Sequence, residues 1–194
     1  MALKNWVNML ILYSNRELSE KLGINLAKWK RWSREFLPPD PLGGKQSGFA
    51  RQYYFRDAFN VMLGGHLVGD LHFSVYEAGK VIEALKDWLL EKGFYQDPGQ
   101  LVERKPSESH ILRYIIYIRH IFWPEKKQTT FSFKIRGIIY DKPVQHNGIE
   151  AREECYVETV IGLEDKVSVE EGTGYEKILD ISALYKFFIG KLGF

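Results

Sequence analysis

The sequence predicts an α+β chain: a mainly α N-terminal domain, then a C-terminal antiparallel β-sheet domain with a terminal helix. Three observations predict it. Apolar residues recur at helical spacing as far as Lys92, then alternate at strand spacing from Leu112 to Ile161. Helical spacing returns at Leu184, Phe188 and Leu192. A polar stretch with Pro98-Gly99 and Lys105-Pro106 separates the two patterns, which divides the chain into residues 1–94, a linker at 95–106 and residues 107–194.

Composition narrows the class. The chain has 194 residues, 45% hydrophobic and 27% charged, as expected of a packed globular protein. Cys155 is its one cysteine, so neither an internal disulfide nor a Cys-rich zinc site is expected, which suits a reducing cytoplasm. The apolar run from Val7 to Tyr13 is broken by Asn8 and is far short of the roughly 20 residues a membrane helix needs. It also lacks the marks of a signal peptide, so a cytoplasmic protein is expected. The net charge of +2 hides an asymmetry: residues 1–56 carry 10 Lys/Arg against 4 Asp/Glu, whereas the remainder is weakly acidic. Positive charge gathered in one third of a chain suits contact with a polyanion, or else marks a solvated surface.

Element by element, Ser14-Asn15-Arg16-Glu17 reads as a capping box opening a helix to Leu22, which Gly23 ends. Asn25 caps a second helix through about Glu35, closed by Pro38 and Pro39. Two short helices on a tight turn form a helix-turn-helix unit. The second helix carries Lys28, Lys30, Arg31 and Arg34 within two turns, interleaved with Trp29 and Trp32. A helix fits the major groove of DNA, where such cations reach phosphates and guanine edges. The plainer alternative is an amphipathic helix with a solvated basic face. The Gly-rich stretch 41–54, with Lys45 near its tip, suggests a two-stranded wing. Asp57 is expected to cap a third helix from Ala58 to about Leu67. Ser74-x-x-Glu77 opens a fourth that runs to Lys92 before Gly93, with Val75, Ala78, Ile82, Leu85 and Leu89 facing the core.

This order resembles the winged helix-turn-helix DNA-binding domain of the MerR family over roughly residues 12–92. Tyr13-Ser14 with Glu17-Leu18-Ser19 and Leu22-Gly23-Ile24 looks like the family's opening helix and turn. Lys30-Arg31-Trp32, Glu35-Phe36-Leu37-Pro38-Pro39, Arg51-Gln52-Tyr53 with Asp57, and Phe73-Ser74-Val75-Tyr76-Glu77-Ala78 are similar to later family segments. The resemblance implies binding of double-stranded DNA, with Lys30, Trp32, Arg51 and Tyr53 gripping the backbone. The chain departs from the family in three places: Lys30 replaces the usual arginine, Arg31 stands where an aromatic is usual, and Phe49-Ala50-Arg51 is one residue longer than the usual wing arm. The long dimerisation helix and the metal-binding cysteines of many members have no clear counterpart. The five histidines show no tight ligand spacing with acidic residues, and no metal or cofactor is expected.

In the C-terminal half, Leu112, Tyr114, Ile116, Ile118 and Phe122 mark one strand face. Phe131, Phe133, Ile135 and Ile139 mark a second, alternating with Thr130, Ser132, Lys134 and Arg136. His146-Asn147-Gly148 is read as a turn and Tyr156–Ile161 as a third strand. Short strands are expected near 167–169 and 177–179, then a helix capped by Asp180 or Ser182. This half reads as a dimerisation or regulatory module. A sharper reading makes Tyr114, Tyr117, Trp123, Phe131 and Phe133 the lining of a small-effector pocket, although alternating aromatics are more often core or interface.

Taken together, the sequence points to a non-enzymatic DNA-binding transcriptional regulator. It has no nucleophile motif, phosphate loop or paired acid–base signature. Phosphate contacts would come from Lys28, Lys30, Arg31, Lys45 and Arg51, with Arg34 also counted as DNA-binding, and base contacts from Asn25 to Lys28. A homodimer is expected from the way such domains read paired half-sites. Two alternatives stand: an architectural protein of the excisionase or phage-terminase small-subunit type, and a protein-interaction module without DNA.

Overall fold

Ser14 sets the direction of the chain at the start of the described residues. These are 12–40, 50–98, 111–123, 127–162 and 173–194 of a computed structural model. A short strand β1 (Tyr13–Ser14) leads into α1 (Asn15–Leu22), where Ser14 Oγ accepts from the Glu17 N–H at 3.2 Å. Glu17 turns toward Lys21, 4.0 Å away, in place of the reciprocal half of the expected capping box. Gly23 takes the left-handed conformation (φ 67°) that lets the chain turn back at once. Asn25 then opens α2 (Leu26–Phe36), its Oδ1 accepting from the Ala27 and Lys28 N–H groups at 2.9 and 3.3 Å. Leu37 is extended, as a residue before proline should be, and α2 ends there.

Strand β2 (Gln52–Tyr53) pairs antiparallel with β1, Tyr13 opposite Tyr53 and Ser14 opposite Gln52. The two-stranded sheet therefore joins the chain before α1 to the chain before α3; it is not a pairing of neighbouring strands within 41–54. Lys45 and the Gly-rich tip lie outside the described residues. Helix α3 (Phe55–Gly69) starts three residues earlier than Asp57 suggests: Tyr54 is its cap, and Asp57 sits in the first turn, where a carboxylate favours the positive helix end. Helix α4 (Val75–Glu91) has the full capping box, Ser74 Oγ accepting from Glu77 N–H at 3.2 Å and Ser74 N–H donating to Glu77 Oε2 at 2.8 Å. Ala78, Ile82, Leu85 and Leu89 face inward as expected, together with Val81 and Trp88.

The chain divides into two compact units, Met1–Val102 with Phe187–Phe194, and Glu103–Lys186. Tyr95, expected to begin a linker, is buried in the first: its hydroxyl donates to Asn60 Oδ1 at 2.7 Å, and Arg56 lies 4.8 Å from its ring. Phe94 beside it stacks on Trp88. The end of α5 (Ile181–Leu192) also counts with this unit, because Phe188 packs against Phe55 and Phe59 at 5.2 and 5.4 Å. Full burial of such a side chain contributes roughly 1.5–3 kcal/mol.

The second unit is a four-stranded antiparallel sheet in the order β5-β4-β3-β6, built from β3 (Arg113–Trp123), β4 (Gln128–His146), β5 (Ile149–Ile161) and β6 (Thr173–Asp180). Ile135, Ile116 and Leu179 line up across three strands and are buried. Three expected inward residues are displaced. Ile138 is buried in place of Ile139, because Ile139 is the extra residue of a β-bulge between the pairs Ile138–Tyr156 and Tyr140–Cys155. Ile121 is buried in place of Phe122, while Leu112 and Phe122 are exposed. Asn147 and Gly148 both have positive φ (52° and 79°), the requirement of a two-residue hairpin turn of the primed type. Asp180 Oδ1 accepts from Ala183 N–H at 2.8 Å and is the cap of α5; Ser182 Oγ accepts from Tyr114 N–H instead. Residues 167–169 lie outside the described ones. Among the described residues, no helix is long and apolar enough to cross a membrane.

Candidate nucleic-acid interface

Helix α2 has two chemically distinct faces. Trp29, Trp32 and Ser33 are buried, whereas Lys28, Lys30, Arg31 and Arg34 are exposed. None of these four cations forms an ion pair among the described residues. By contrast Arg16 on α1 is held by Glu20 at 2.8 Å. Lys28 Nζ rests 4.7 Å above the Trp32 ring, which orients the stem and leaves the ammonium at the surface. Asn25 is exposed at the start of the helix with its Oδ1 committed to the cap.

Lys30 and Arg34 border a groove of 480 Å³ that also touches Asn15, Pro38, Pro39, Asp40 and Arg51, with Ser33 and Tyr53 at its floor. Arg51 crosses it, Nη2 donating to the Pro38 carbonyl at 2.9 Å. A single carbonyl uses one of a guanidinium's five N–H groups and none of its charge. The groove thus gathers three cations around one carboxylate, Asp40.

Two expected contact residues are placed elsewhere. Tyr53 is 1% exposed and is a strut of the core. Its hydroxyl donates to Asn15 Oδ1 at 2.5 Å; with that proton committed, the 2.7 Å contact with Ser33 Oγ must have the serine as donor. One phenol therefore ties β2 to α1 and α2. Trp32 is 8% exposed, and its indole packs where any side chain at Gly65 of α3 would stand, so it is unavailable to a ligand. It sets the orientation of α2 against α3 instead.

The sequence reading overlooked Asn15 and Ser33, which hold this arrangement. A signal existed for Ser33: it falls at i+4 from Trp29, on the inward stripe, where a polar side chain implies a buried hydrogen bond. Trp29 itself is fully buried, and its Nε1–H finds no acceptor among the described residues. The five aromatics considered for an effector pocket do not converge. Phe133 is core, and Trp123 Nε1 donates to Thr130 Oγ1 at 2.9 Å. Tyr117 on the sheet lies under Lys134 and Arg136 at 5.4 and 5.1 Å.

Comparison with protein-family models, with curated proteins and with solved structures finds no match to this chain.

Proposed function

We propose that this chain is a DNA-binding transcriptional regulator of the MerR type, meeting duplex DNA with the basic face of α2 and with Arg51. The observation that carries the reading is the set of four exposed cations on α2 without carboxylate partners among the described residues, beside a groove to which Arg51 adds a fifth. Lys30, Arg34 and Arg51 suit backbone phosphates; Lys28 and Arg31, one turn apart on the neighbouring flank, suit phosphates or guanine edges. The exposed start of the helix, from Asn25 to Lys28, offers the side chains that would read bases.

Fluorescence anisotropy of a labelled random duplex tests this at about 50 and 200 mM salt. Neutralising about four phosphates predicts an affinity loss of roughly a hundredfold across that range by counterion release. Arg31→Ala/Arg51→Ala should bind more weakly and with a shallower salt dependence. A wild-type chain that fails to bind at the lower salt sinks the reading, and a pull-down for an acidic protein partner becomes the next experiment.

A further inference from the structure

Beyond the bulge at Ile139, β4 and β5 leave the sheet as a two-stranded arm. From Tyr140–Cys155 to His146–Ile149 each strand has only the other as a strand neighbour among the described residues. An isolated pair of strands is marginal in water, and three are needed for independent stability. Among the described residues, the outer edge of β5 is also the edge of the sheet. Along its 13 residues every position except Cys155 and Ile161 is exposed, including Ile149 at 70%, Val157 at 49% and Val160 at 50%. A long open edge with apolar side chains is a template for another strand.

We infer that β5 docks a second copy of this chain, strand to antiparallel strand, about a two-fold axis through Cys155. The charges of β5 select that occupant and register. With Cys155 on the axis, residue 149 faces 161 of the second copy, 150 faces 160, and so on, so all 13 residues are paired. Arg152 then faces Glu158 of the second copy, twice by symmetry, and Ile149 faces Ile161. Glu150, Glu153 and Glu154 face Val160, Val157 and Tyr156, so no glutamate opposes another. Moving the axis to Glu154 sets that residue against itself and Glu150 against Glu158. Moving it to Tyr156 sets Glu154 against Glu158. Like charges directly opposite each other destabilise a ladder, so the neighbouring registers are disfavoured.

The ion pairs already present within the chain extend across the axis. Arg152 bonds Asp141 at 2.6 Å, and Arg136 bonds Glu158 at 3.1 Å. Pairing joins them into the alternating series Arg136, Glu158, Arg152, Asp141, with the last two from the second copy. Each arm gains a third strand, the other copy's β5, and the two sheets become one of eight strands. This surface is independent of the DNA reading, because its test contains no DNA.

Light scattering of the reduced full chain at micromolar concentration should give twice the chain mass. Mild oxidation should then yield a disulfide-linked dimer, as Cys155 meets its own copy within the roughly 7 Å between Cα atoms that a disulfide spans. In Cys155→Ser/Val157→Cys the two thiols would stand about 14 Å apart at 3.4 Å per residue, so the dimer should persist without linking. Arg152→Glu should shift the mass toward monomer. A monomer at all concentrations overturns the proposal. So does a dimer that fails to link through residue 155, or one that links as readily through 157.

Discussion

The indole of Trp32 lies in the space that a side chain at Gly65 would occupy. Helices α2 and α3 approach closely there because Gly65 has no Cβ, and Gly64 admits the Phe36 ring in the same way. The contact fixes how the basic face of α2 is presented. Gly65→Ala should destabilise the helical unit by roughly 1–3 kcal/mol through overpacking, although alanine is the better helix former by about 1 kcal/mol. Urea unfolding followed by tryptophan fluorescence would read this; an unchanged midpoint would show that the two helices can separate freely.

Tyr53→Phe keeps the ring beside Trp29, 5.7 Å away in edge geometry, but removes the hydroxyl shared by Asn15 and Ser33. Leaving buried partners unsatisfied costs about 1–3 kcal/mol. Because the phenol is buried, DNA affinity corrected for the folded fraction should change little. A large affinity loss in a fully folded Tyr53→Phe would instead place the hydroxyl at the DNA.

If Lys30 and Arg34 contact phosphates, each alanine substitution should weaken binding about equally on all duplex sequences and reduce the salt slope by roughly one. Arg16→Ala is the matched control, since that cation is already held by Glu20. Equal effects at positions 16, 30 and 34 would reduce the interface to net charge alone.

Burial raises the Tyr95 phenol to about 12, and Asn60 accepts its proton at 2.7 Å. The group is neutral when protonated, and its folded pKa exceeds the unfolded value near 10. Its contribution is therefore complete below pH 10 and is lost as pH rises toward 12, by roughly 2 kcal/mol. Tyr13, also raised to about 12 chiefly by burial, adds in the same direction. Unfolding free energy should fall over this window, and Tyr95→Phe should flatten the fall; an identical slope in the variant would assign it to other groups.

Removing the Ser74 hydroxyl deletes a cap that accepts from Glu77 N–H at 3.2 Å and donates to Glu77 Oε2 at 2.7 Å. Ser74→Ala should cost about 1 kcal/mol of stability without altering DNA affinity. Thermal unfolding and anisotropy on the same samples separate the two effects.

Where a structural decision is local, the sequence made it. Ser14, Gly23, Asn25, Ser74 and Gly93 bound their helices because a cap is a contact within four residues of the chain. Asn147-Gly148 sets its hairpin because both positions need positive φ. The buried stripe Leu184, Phe188, Leu192 was legible for the same reason: helical periodicity is a property of neighbours. The exposed cations of α2 were legible too, since the tryptophans and Ser33 between them had to face inward.

Tertiary structure alone decided the rest. Tyr53 and Trp32 look like surface aromatics among arginines, and only the approach of α1 and α3 buries them. Asp57 resembles a cap by composition, yet the β1–β2 pairing starts α3 at Phe55. Ile139 alternates correctly with its neighbours and still gives its buried place to Ile138, because a bulge depends on the register of a strand some 17 residues later. Phe188, read as part of the C-terminal half, packs on Phe55 and Phe59. In each case the determining contact joins residues distant in the chain, and a local pattern carries no information about which distant surface will arrive.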